Sequence, residues 1–178
     1  MTFDMRQHLK KRFFAPHLYD GLTVSDESMT VMLWNLSGQA TGYQVYSPLK
    51  PKKSSIPQEA KYFTHVTKGH TAMFGIETVN WNSPFMFITE GIFDAAKLHW
   101  FGLPAVAVLG NNPQHLIPWF KILPFKVIAT VQGDKAGLML ALTTDEAVFL
   151  PEGEDVNSLS DLDFVKLFSK YFLSDILK

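Results

Sequence analysis

Four carboxylates in the second half of this chain, Glu90, Asp94, Asp134 and Asp155, are spaced in a way that suits divalent-cation chemistry. Glu90 follows the apolar run FMFIT, Asp94 lies one helical turn further on, and Asp134 and Asp155 each come shortly after a later apolar run. In an open parallel sheet, ligands gather beyond the carboxyl ends of the strands, so the four acids are expected to converge on one edge. Oxygen donors of this kind hold Mg2+ or Mn2+, with water and phosphate completing an octahedron. Taken singly, each acid reads as a solvated turn residue; four at consecutive strand ends argue for a site. Gly133 and Gly137 around Asp134, and Gly153 before Asp155, permit close backbone approach.

Other chemistries find less support. The chain has no cysteine, which removes disulfides and thiolate zinc sites, and its six histidines show no ligand spacing. No Walker loop, GxGxxG, GxSxG or HExxH pattern occurs, so P-loop hydrolysis, dinucleotide binding and zinc hydrolysis are not indicated. No apolar run approaches the roughly 18 to 20 residues that span a bilayer, and MTFDMRQHLKKRFF lacks the apolar centre of a secretory signal, so a cytoplasmic location without membrane association is expected.

A second constellation is basic. The stretch SPLKPKKSSIPQEAK, residues 47–61, carries Lys50, Lys52, Lys53 and Lys61 among prolines and serines and reads as a flexible loop. Tyr62, Phe63 and His65 follow directly. Cations for phosphates and rings for unpaired bases are how single strands are held without sequence preference; a solvated linker accounts for the lysines equally well. Charge is also split along the chain. Residues 1–70 hold nine Lys or Arg against five acids and the remainder seven against twelve, although the net charge is only -1. A split of this kind suits a polyanion on one surface and divalent cations on another; sampling noise in a small protein explains it as well.

The elements that must position these groups are legible in outline. At 178 residues with 47% hydrophobic side chains, the chain can bury a core as one domain, with or without a small annex. Residues 6–14 form a basic amphipathic pattern ahead of Pro16, and residues 29–36 and 42–46 flank a hairpin turn. Strands are expected at 85–89, 105–109, 126–131 and 147–150, with helices at 92–101, around 113–120 and at 135–142 between them. Closing helices follow at 158–170 and 171–177, with Ser158 or Ser160 as cap. Alternation of strand and helix implies right-handed βαβ crossovers and a mainly parallel sheet, an α/β fold.

The segments TEGIFDA, QGDKAG and LPEGEDVNSL, in this order and spacing, resemble the Toprim domain of bacterial and bacteriophage DNA primases. Upstream, LWNLSGQATGYQVYSPLKPKKS, KYF and MFGIE resemble the small basic subdomain that precedes Toprim in those primases and guides single-stranded template. The resemblance covers roughly residues 22 to 160. It implies a Toprim-type sheet flanked by helices and a small N-terminal α+β basic subdomain, divided as 1–83, 84–157 and a C-terminal helical segment 158–178. It further implies Glu90 as general acid or base and Asp94, Asp134 and Asp155 as holders of divalent metal. Lys50, Lys52, Lys53, Lys61 and Tyr62 would then contact single-stranded DNA.

Two positions depart from the family pattern. Gln132 stands where an Asp-x-Asp pair has its first acid, and Asn157 where a second acid follows the GED step. Each exchange keeps a carbonyl oxygen and loses a charge, which is expected to leave one weakly bound Mg2+ or Mn2+ ion; zinc is not expected in a chain without cysteine. The activity implied is synthesis of RNA primers by nucleotidyl transfer from NTPs on single-stranded DNA in replication. A separate replicative helicase would be a partner, and the host cytoplasm the location for a phage protein. The alternatives are a degenerate Toprim protein that binds single-stranded DNA or a replication partner, and, more weakly, a Toprim nuclease.

Overall fold

The computed structural model describes residues 3–110, 114–133 and 135–172. Its frame is two four-stranded sheets. The first is antiparallel, in the order β1 (Thr23–Val24), β2 (Met29–Trp34), β3 (Ala40–Tyr46), β4 (Tyr62–Val66). The second is parallel throughout, and its order β6-β5-β7-β8 places β5 (Phe85–Thr89) and β7 (Lys126–Val131) between β6 (Ala105–Ala107) and β8 (Glu146–Phe149).

The continuous apolar run of β5 has a physical cause in this arrangement. All five residues are buried, because helices cover both faces of the sheet. Phe85 and Phe87 pack toward α2 (Ile92–Trp100) and α5 (Asp161–Phe172), while Met86 and Ile88 join Phe120 of α3 (Ile117–Phe120) and Leu140 of α4 (Lys135–Ala141). The first of these cores also takes in Leu9, Phe14, Val31 and Tyr46, so it runs without a break from the N-terminal elements to α5.

The two sheets are stitched by the pair Met73 and Phe74 within MFGIE. Met73 exchanges backbone hydrogen bonds with Trp34 at the end of β2 (2.8 and 2.9 Å), and Phe74 does the same with Ala107 at the end of β6 (3.0 and 2.9 Å). Both side chains are fully buried. One short extended segment thereby fixes the basic front against the acidic back.

Several expectations are revised. The first helix, α1 (Met5–Lys11), starts at the Asp4 cap, whose carboxylate accepts from Gln7 N, and ends before residue 14 because Phe13 adopts φ 57°. That left-handed turn is costly for a bulky residue and redirects Phe14 into the core. The strand expected at 105–109 stops at Ala107, since Leu109 also turns left-handed (φ 57°). The stretch 47–61 is not a loose loop. Ser47 N donates to Lys61 O (2.8 Å) and Lys61 N to Pro51 O (2.7 Å), and a 3-10 turn spans Pro57–Glu59. Tyr62–Val66, read as rings trailing a loop, is strand β4 paired with β3. Of the two candidate caps for α5, Ser160 is used, accepting from Asp163 N at 3.1 Å. The end of the expected last helix, residues 173–177, lies outside the described residues, as do residues 111–113. Among the described residues no helix is long and apolar enough to cross a membrane.

Candidate functional site

Glu90 emerges exposed from the end of β5. Behind it the Thr89 hydroxyl donates to Gly91 O (3.0 Å), which sets the strand-to-helix turn, and α2 begins at Ile92. Asp94 is therefore in the first turn of α2, on the same side as Glu90. Asp155 reaches this place from the loop after β8, where its carboxylate accepts from Ser158 N (2.7 Å). The three acids, from two separate segments, line one crevice beyond the strand ends together with Thr130, Gln132 and Gly137. Its volume of about 20 Å³ suits one water or one ion.

The electrostatics of the crevice centre on Asp94. Burial, then the charge of Asp155 and more weakly that of Glu90, press its carboxyl up to about 7, against the opposing pull of the Asn157 N–H and Arg12. Carboxylates gathered in this way favour a proton or a cation among them. That is the observation by which these residues fit a hard divalent ion. Among the described residues, however, no three His, Asp or Glu side chains stand close enough to enclose one. Asp134, expected to be part of the set, lies outside the described residues.

Of the flanking glycines, Gly137 does what was expected: a Cβ there would fall 2.1 Å from Gln132 O. Gly133 does not, since nothing described lies within 4 Å of the corresponding position. Gly153 does not either, with nothing described within 4 Å, and it serves instead a left-handed turn at φ 80°. The two altered positions behave differently from one another. Gln132 is exposed and lines the crevice as expected. Asn157 does not line it; its side chain turns to the end of α1 and bonds Arg12.

A wall of rings and cations stands beside Asp94. Tyr46 contacts Tyr62 and Phe93 (ring centroids 5.0 and 4.7 Å apart), with Arg12 3.6 Å over the Phe93 ring and Lys61 5.8 Å over Tyr46. Tyr62 keeps 39% of its surface exposed, lies within the electrostatic reach of Asp94 and receives a 3.4 Å contact from Arg12 Nη1. Lys52 and Lys53 are exposed further out on the loop, and Lys50 donates to Gln58 O (2.9 Å). Sequence reasoning assigned Arg12 to a helix face and passed over Tyr46 and Lys97. The aromatic pair directly after Arg12 was the one available sign that its helix end is buried.

No family model matches the chain, and no curated protein does. Solved structures do. The chain is similar to a DnaG primase catalytic domain bound to single-stranded DNA, at 20% identity over 97% of this chain and 77% of that one, with a TM-score of 0.64. It is similar to the E. coli primase catalytic core at 19% identity over 96% and 72%, with a TM-score of 0.66. It is also similar to the primase fragment of the bacteriophage T7 primase-helicase protein at 15% identity over 94% and 70%, with a TM-score of 0.61. At these identities the likeness establishes the fold: the chain has the mixed α/β architecture of primase catalytic cores, as its motifs led one to expect.

Proposed function

We propose that this protein is a primase-type nucleotidyltransferase, which extends a ribonucleotide chain on a single-stranded DNA template. The observation that carries this reading is the convergence of Glu90, Asp94 and Asp155 on one small crevice beyond the ends of parallel strands, beside the wall formed by Arg12, Lys61 and Tyr62. In this reading residues 1–83 are the basic subdomain, 84–157 the Toprim domain and 158–178 the closing helices. Lys50, Lys52, Lys53 and Lys61 hold template phosphates and Tyr62 offers a ring face to a base.

A Mg2+ or Mn2+ ion held by Asp94, Asp134 and Asp155 would neutralise phosphate charge as a nucleotide is added. The 3′ hydroxyl of the growing chain forms a bond to the α-phosphorus of an NTP, pyrophosphate departs, and Glu90 takes the hydroxyl proton. Glu90 is suited to this by its exposed place at the strand end. A separate helicase would supply unwound template, and the cytoplasm would be the location.

One observation favours a second reading. Gln132 in the crevice, an amide where the family pattern has an acid, suits a Toprim protein that binds single-stranded DNA without catalysis. Incubation with single-stranded templates, labelled NTPs and Mg2+ or Mn2+ separates the readings. Short RNA products are expected; bound but unchanged DNA would leave the binding module, and a shortened template would mark a nuclease.

A further inference from the structure

Asn157 is joined to the chain's first helix by a reciprocal pair of hydrogen bonds. Arg12 Nε donates to Asn157 Oδ1 (2.9 Å), and Asn157 Nδ2 donates back to Arg12 O (2.9 Å) while approaching Phe93 O (3.3 Å). The backbone N–H of Asn157 donates to Asp94 Oδ1 (3.0 Å). The guanidinium of Arg12 is held in turn by its stacking on Phe93 and by the Tyr46 and Tyr62 hydroxyls, each 3.4 Å from Nη1. From the other side Lys97, with 0% of its surface exposed, donates to Leu159 O and lies 3.5 Å from Asn157 O.

We infer that Arg12 and Asn157 are a positioning pair: the guanidinium, acting through the Asn157 carboxamide, holds the Asp155 loop against the first turn of α2, and so Asp155 against Asp94. The consequence for metal rests on the cation reading of the crevice; the pair itself does not. The amide at 157 is the side chain this junction requires. A carboxamide accepts from Arg12 Nε and donates to two carbonyls at once, whereas a carboxylate keeps the first bond and sets acceptor against acceptor in the others. Arg12 and Asn157 are 145 residues apart, so the bond between them orients the loop from outside it. Lysine cannot replace Arg12, because the planar fork supplies the Nε donor and the stacking face together.

The test is calorimetry with Mn2+ on the full chain, with thermal melting of the metal-free proteins in parallel. Loss of a partner that orients a ligand typically weakens metal affinity by about 10- to 100-fold. Arg12→Gln, Asn157→Ala and Asn157→Asp are each expected to weaken Mn2+ by about tenfold or more, and the double variant Arg12→Gln/Asn157→Ala to be no weaker than either single change. The metal-free melting losses should be similarly non-additive. Tighter Mn2+ binding by Asn157→Asp would make residue 157 a ligand position and overturn the inference. So would Mn2+ affinities within twofold of wild type in the single variants. If the wild type takes up no Mn2+, the cation reading fails, and melting alone decides the pair: additive losses reject it and non-additive losses sustain it. Should Arg12→Gln not fold, Arg12→Lys serves in its place, with the same weakening expected.

Discussion

Replacing Gly137 by alanine sets two physical effects of opposite sign against each other at the edge of the crevice. In an ordinary helix the change stabilises by up to about 1 kcal/mol, because alanine has the better helix propensity. Here the added Cβ would lie 2.1 Å from Gln132 O, 3.0 Å from Gln132 N and 3.1 Å from Gln132 C. All three are backbone atoms, so no side chain can swing aside. Restoring ordinary van der Waals separation requires a shift of roughly 1 Å, and overpacking of this kind costs about 1–3 kcal/mol. The net expectation is a loss of roughly 0–2 kcal/mol once the propensity gain is subtracted. Gln132 lines the crevice, and a displacement of this size near reacting groups costs up to about 100-fold in rate. Gly133→Ala is the control, since nothing described lies within 4 Å of its Cβ position and its effect should stay within about 0.5 kcal/mol. Urea denaturation followed by circular dichroism measures both. A Gly137→Ala protein that is more stable than wild type would refute the close-approach argument.

The basic loop and one buried histidine give two further expected outcomes. Changing Lys50, Lys52, Lys53 and Lys61 together to alanine should weaken single-strand binding uniformly across sequences and reduce its salt slope by roughly 0.7 for each phosphate that a lysine had neutralised. Exposed Lys52 and Lys53 should account for most of it, and an unaltered slope in fluorescence titrations at several salt concentrations would return the loop to a linker. His99 is held neutral at about 4 by burial, accepting from the Tyr19 hydroxyl (2.9 Å) while its Nε2 faces Ala105 O (2.8 Å). Because its folded pKa lies below the unfolded 6.5, its contribution is complete above pH 6.5 and is lost as pH falls toward 4. That loss is roughly 3 kcal/mol at the acid end. Denaturation of wild type and His99→Gln at pH 7 and 4.5 checks it, the variant losing less; parallel losses would contradict the assignment.

The parts of the fold that were legible in the sequence are those with an unambiguous local signal. FMFIT is buried on both faces and reads as a central strand, Gly91 marks a turn that the chain does make, and Gly137 marks a close backbone approach that it does make. Strand β4 was missed because YFTHV is mostly exposed at a sheet edge, where alternation carries little information. The place of Asn157 in its motif was evident, but its role was not, since that depends on Arg12 at the far end of the chain. Lys97 looks like a solvated helix residue and is instead buried, with its ammonium on the carbonyls of the 157–159 loop and 4.2 Å over the Phe13 ring. Tertiary partners of this kind leave no trace in local spacing.

The proposed nucleotide addition would depend above all on Glu90 as the group that accepts a proton. Its direct test is the rate of labelled-NTP incorporation on single-stranded DNA with Mn2+, for wild type and Glu90→Gln side by side. A positioned general base contributes about 100- to 10,000-fold, so Glu90→Gln should lose at least about 100-fold in rate while DNA and Mn2+ affinities stay within about twofold. Equal rates in the two proteins, or a wild type that binds DNA and Mn2+ and makes no RNA, would contradict it.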